Sequence, residues 1–315
     1  MNSYPTPLLQ SSWLSQEAQI ELINLQQKNS EDFFLLDEQY QSWANTLKPT
    51  AIWVSNLAAS GCLETFKCIH QQFNIGLNGE NTIKTLGTKN PIEEQTPLIA
   101  AIKGQPFSTH HHLSLIDWLL NQGAKTTILG IDIMSFLNHH CKTPYAYSVL
   151  HAGVKNAPAL DLLFKYGVDI QMGLQTDPNL GNLQPNSIFS CWMEIATTSG
   201  VHGKKQAMAA LQILWKNGID FNQPVIGPRF PDCKQNLLCH MWSHYSFNQF
   251  LPDVLSWGVD PHQMGEDGYS LYTQVLENSM KGTTKLKNRA KKFLSYLNTH
   301  YPVPSLSSFP LKSRV

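Results

Sequence analysis

Four residues near the C-terminal third carry the richest chemistry: Cys233, Cys239, His240 and His244. On a helix His240 and His244 stand one turn apart, so their rings share a face, and two thiolates beside them would complete a tetrahedral zinc site. The spacing argues otherwise. Cys233-x5-Cys239 is not the short thiolate hook of a zinc knuckle, and no flanking glycine turns the chain around a metal. Buried structural thiols are the favoured reading, and a metal-dependent enzyme built on these four residues is the outlying one. His110-His111-His112 and His139-His140 beside Cys141 fall in polar inserts. They suit a solvated loop, or a partner contact that responds to acidity.

Thr198-Ser199-Gly200-Val201-His202-Gly203-Lys204-Lys205 has the flavour of a phosphate loop, in which backbone N–H groups cradle phosphate and a Lys-Ser/Thr pair completes the site. Thr198 occupies the place of the first glycine and Lys205 that of the hydroxyl that holds magnesium, so the reading is rejected. No nucleophile elbow, zinc-protease helix or Rossmann glycine pattern is found. No residue set is therefore assigned to catalysis, cofactor or metal.

The elements that must position these residues are helical hairpins. In Thr96-Pro97-Leu98-Ile99-Ala100-Ala101-Ile102-Lys103-Gly104, Thr caps the free N–H groups and Pro at the first helical position gives up an N–H that has no partner there anyway. A second helix follows, with Leu115, Ile116, Leu119 and Leu120 as its apolar stripe and Gly123 suited to a left-handed cap.

These residues resemble an ankyrin repeat, whose pattern is a Thr-Pro-Leu-His turn, an alanine-containing helix, a second helix and Gly-Ala-Asp. The resemblance recurs. It is seen in Leu57–Ile69, in Ser148-Val149-Leu150-His151 with Gly167-Val168-Asp169, and in Ser187–Ser190 with Gly218-Ile219-Asp220. It is seen again from Asn236 to Gly258-Val259-Asp260, and from Ser270 onward, with a closing helix over roughly Leu286–Leu297. Starts at 96, 148, 187, 236 and 270 are separated by 52, 39, 49 and 34 residues, where the family period is about 33. The excess lies in inserts at Gln105–His112, Thr126–Tyr147, Met172–Asn186, Thr197–Gln206 and Gln223–Gln235, which are candidate binding determinants or tolerated drift.

The expected fold is all-α: an ankyrin-like solenoid of five to six divergent repeats over 49–300, a helical N-terminal cap over 1–48 and a tail over 301–315. Within the cap, Ser15 opens one helix over Gln16–Lys28 and Ser30 a second through Trp43. Such a cap keeps the first repeat from showing its apolar face to water.

Composition narrows the function. The 315 residues hold 23 basic and 23 acidic side chains, so the whole chain offers no general attraction to nucleic acid or anionic lipid. The N-terminus lacks a basic start and an apolar core, no run approaches the ~18 apolar residues of a membrane span, and the six cysteines are sparse, which together imply a cytoplasmic protein with reduced thiols. Lys281, Lys285, Lys287, Arg289, Lys291 and Lys292 form a basic stretch, read as a solvated cap face or as a contact for an acidic partner.

The resemblance implies protein binding, with first helices lining a concave surface. On that basis Trp192 and Trp242, in first helices, are the aromatic anchors, while Trp118, Trp215 and Trp257 pack second helices. The candidate partner-binding set is completed by His110, His111, His112, His202, Lys204, Lys205, Arg229 and His244. The expected activity is occlusion of one specific protein, such as a toxin or enzyme, by an inhibitor or immunity-type protein. The alternative is an adaptor or secreted effector that binds regulatory or host proteins.

Overall fold

The hairpins begin where a side-chain oxygen meets the first free N–H groups. In the computed structural model, which describes residues 15–21, 51–78, 96–104, 111–128, 130–132, 145–173, 187–198, 200–227, 233–244 and 247–302, Thr96 accepts from the Ile99 N–H at 3.2 Å, Asn236 from Cys239 at 2.9 Å and Ser270 from Thr273 at 3.1 Å. At the other end of four of the hairpins, Gly123, Gly167, Gly218 and Gly258 hold φ between 75° and 93°. A Cβ at any of the four would meet nothing within 4 Å. Their requirement for glycine is thus conformational and not steric. Two residues later, Asp169, Asp220 and Asp260 each accept from the N–H two positions on, at 2.8–2.9 Å, and fix the exit turn.

The chain divides into two compact units, one of Met1–Gly218 with Gly227–Arg229 and the other of Ile219–Ile226 with Phe230–Val315. The first unit contains α1 (Ala51–Ser60), α2 (Leu63–Phe73), α3 (Pro97–Lys103), α4 (His111–Asn121), α5 (Val149–Gly153), α6 (Ala157–Lys165), α7 (Ile188–Thr198) and α8 (Gly200–Lys216). Its helices pack in two rows. First helices α1, α3, α5 and α7 touch in that order, as do second helices α2, α4, α6 and α8. The first row is consumed by this packing: Pro97 to Ile102 are all buried, as are Val149 to Gly153.

Before α1, residues 16–21 are helical, and Ser15 Oγ accepts from the Ala18 N–H at 3.1 Å. The proposed helix from Ser30 lies outside the described residues. Glu21 reaches across to α2, where its carboxylate accepts from the Glu64 and Thr65 N–H groups at 3.1 and 2.8 Å. Cys62, at the N-cap of α2, makes no capping hydrogen bond with its side chain. The cap therefore arrives from a residue 43 positions earlier, and its negative charge suits a helix N-terminus.

The structure corrects the reading of the inserts. Thr197–Gln206 is not a loop, because α7 runs to Thr198 and α8 starts at Gly200 as a 17-residue helix. Thr126–Tyr147 includes a two-stranded antiparallel ribbon, β1 (Gly130–Asp132) with β2 (Tyr145–Tyr147), in register Gly130 to Tyr147. The described residues are mostly helical, with this short ribbon. Both ends of Gln223–Gln235 are pinned: Val225 N–H donates to the Gln235 carbonyl at 3.1 Å, and Pro224 and Asn236 form a bridge.

The second unit holds α9 (Leu237–Ser243), α10 (Leu251–Ser256), α11 (Leu271–Lys281) and α12 (Thr284–His300). Here α9 packs on α10 and α11, and α11 forms a hairpin with α12. The closing helix predicted over Leu286–Leu297 is longer than expected by two residues at its start and three at its end, and Pro302 follows it.

Candidate functional site

The sulfur and imidazole groups of the second unit are brought together, but not as a four-ligand shell. Cys233 Sγ stands 3.6 Å from His240 Nδ1, and the rings of His240 and His244 are 4.5 Å apart. Cys239 takes another direction, with its thiol toward the Tyr269 carbonyl at 3.8 Å. Burial pushes the Cys239 thiol up to about 12 and raises that of Cys233 as well, so both stay protonated and are poor ligands or nucleophiles near neutrality. Burial, and then the adjacent His244, lower His240 to about 4. It is a neutral ring at pH 7. Among the described residues no group of three His, Cys, Asp or Glu side chains is placed to hold a metal ion.

The two tryptophans expected to anchor a partner are core residues. Trp192 is 0% exposed and donates from Nε1 to the Ala207 carbonyl at 2.6 Å, sealing α7 against α8. Trp242 is 1% exposed; its ring stacks on Phe293 at 5.2 Å and lies under the Arg289 guanidinium at 4.3 Å. The expectation fails because a first helix has neighbours on several sides, so a large aromatic there fills the space between helices. Neither tryptophan is available to a partner in this conformation.

Arg289 is corrected by the same geometry. Its guanidinium leaves the solvated face, donates to the Trp242 carbonyl at 3.3 Å and lies over the indole. The Asn248 amide, oriented to donate to the Met241 and Trp242 carbonyls at 3.0 Å each, accepts from Arg289 at 2.8 Å. This cluster satisfies the end of α9, whose last carbonyls have no helical partner.

His112 is likewise structural, at 5% exposure. Its Nε2 donates to the Ala59 carbonyl at 2.9 Å, and its ring fills the space left by Gly61 and Gly104. His110, Arg229, His139, His140 and Cys141 lie outside the described residues, as do the side chains of His111 and His202. Lys204 is half-buried, while Lys205 and His244 are exposed. The stretch weighed as a phosphate loop enters α8, which starts at Gly200. The second-helix tryptophans Trp118, Trp215 and Trp257 are partly exposed, with Trp118 edge-on to Phe66 at 5.9 Å.

Two features escaped the sequence reading. Glu21 as a distant cap has no local signature. The exposed apolar residues Met264, Tyr269, Leu276 and Met280 have no place in the repeat pattern. The i, i+4 pair Leu276 and Met280, set off the face that carries the buried Leu271 and Val275, was the signal available. No described helix is long and apolar enough to cross a membrane.

No family model and no curated protein matches the chain. Among solved structures it is similar to a chain in a complex of a predatory endopeptidase from Bdellovibrio bacteriovorus with an immunity protein, at 18% identity and a TM-score of 0.43, over 77% of this chain and 96% of that one.

Proposed function

We propose that this protein is a non-catalytic, ankyrin-like repeat protein that binds and occludes one specific protein partner, in the manner of an inhibitor or immunity protein. The observation that carries the reading is the double row of the first unit, in which each helix packs on its counterpart in the next hairpin. Such stacking spends the apolar faces on neighbours and extends a surface along the row, a geometry suited to a protein-sized ligand. The chemistry of the cysteines supports it: Cys62 and Cys239 are raised by burial to about 11 and about 12, which suits packing in a reducing cytosol and not nucleophilic work.

The test is affinity capture from the native lysate with quantitative mass spectrometry, followed by titration of the captured protein's activity. One equimolar partner, silenced at equimolar addition, is the expected result. Several substoichiometric partners would favour an adaptor instead. Stoichiometric zinc or iron with no protein bound would sink the binding reading and return attention to Cys233 and His240.

A further inference from the structure

Six large apolar side chains are exposed among the described residues, and four of them fall between positions 264 and 280: Met264 at 63%, Tyr269 at 44%, Leu276 at 36% and Met280 at 58%. A soluble protein scatters such residues singly unless the patch is used. Leu276 and Met280 are one turn apart on α11 and so share a face. Tyr269 lies in the loop that leads into α11, which begins at Leu271. Methionine suits such a surface because its unbranched thioether adapts to the shape of what it meets.

The charge around this patch is predominantly positive. Between 264 and 300 six cations face three carboxylates, although the whole chain is neutral. The carboxylates are partly engaged at home: Asp267 accepts from the Tyr269 N–H at 3.1 Å, and Glu277 pairs with Lys281 at 2.9 Å. The α12 helix, packed on α11, has five cations and no acid in 17 residues. Arg289 is turned inward on Trp242. Lys287, Lys291 and Lys292 have no carboxylate within ion-pair distance among the described residues, and Lys291 and Lys292 are exposed.

We propose that this α11–α12 face is where the protein partner docks, and that the partner presents an apolar segment flanked by carboxylates. The inference rests on the protein-binding reading above and gives it a place and a chemistry. Apolar anchors supply the desolvated centre of the contact, and the lysines supply rim charges that steer encounter and reject basic surfaces. A protein is favoured over nucleic acid or lipid because the cations of α12 lie within a single helix next to the exposed apolar residues of α11, whereas phosphate-backbone binding needs a basic track that runs on beyond one element.

The experiment uses the full chain and, as probe, the protein captured by the wild type, purified. Its affinity is measured for wild type, Leu276→Glu/Met280→Glu, Lys287→Glu/Lys291→Glu/Lys292→Glu, and the control Lys125→Glu/Lys216→Glu, whose lysines are exposed in the first unit, each first checked for an unchanged thermal midpoint. The apolar pair is expected to lose at least about tenfold in affinity. The lysine triple is expected to bind more weakly and to lose the salt dependence that wild type shows between about 50 and about 500 mM NaCl. Hydrogen exchange on the partner is expected to protect a segment containing Asp or Glu beside apolar residues. Wild-type affinity in both patch variants, or protection confined to a basic segment, overturns this inference while leaving protein binding intact. Capture of nucleic acid, or of no stoichiometric protein, removes the protein-binding reading and this inference with it.

Discussion

The His240 imidazole sits at 4% exposure, and burial followed by the neighbouring His244 lowers its pKa from 6.5 to about 4. An unfolded chain takes up a proton there near pH 6.5, whereas the folded chain resists until about pH 4. Acid therefore favours unfolding across that window, by about 2–3 kcal/mol at its lower end, and the effect is absent above it. The expected outcome is a thermal midpoint that falls between pH 6.5 and 4 in wild type, and falls less in His240→Gln. Equal slopes in the two proteins would show that other groups govern the acid response.

At the scale of elements, caps and terminating glycines do separable work. Thr96 holds the Ile99 N–H at the start of α3, so Thr96→Ala should cost about 1 kcal/mol in chemical denaturation, while Thr96→Ser should restore most of it. Gly218 ends α8 at φ 83° with open space around it. Gly218→Ala should accordingly cost about 1–2 kcal/mol from backbone strain alone, and Gly218→Asn less, because Asn tolerates the left-handed region. A larger loss for Ala than this would mean that the exit turn through Asp220 had also been disturbed. Denaturant midpoints at constant m-value measure all four variants.

For the molecule as a whole, the consequence of stacking is that damage spreads along a row. Within the first unit, a methyl group at Gly104 would press on the Ala59 carbonyl that His112 holds. Gly104→Ala should destabilise the α1–α3–α4 contact by about 1–3 kcal/mol. In native-state hydrogen exchange α1, α3 and α4 should lose most protection, α5 less and α7 least, because each helix is stabilised chiefly by its neighbours. Uniform loss from α1 to α8 would instead mean that the row opens as one unit.

How much of this was legible in the sequence follows from the range of the forces involved. Caps, proline starts, left-handed glycines and the 3.6-residue apolar stripes act within a turn or two, so the hairpins at Thr96, Ser148, Asn236 and Ser270 were readable from the residues themselves. What neighbours do to a side chain was not. Nothing local distinguishes a tryptophan that seals two helices, as Trp192 and Trp242 do, from one that waits for a partner. Nor does a sequence announce that Glu21 caps α2, that Arg289 abandons the basic face for an indole, or that Met264, Tyr269, Leu276 and Met280 stay exposed. Local stereochemistry thus determined which segments become helices and where they stop. Tertiary packing decided which of their side chains the solvent, and any partner, can reach, because burial is set by residues far away in the chain.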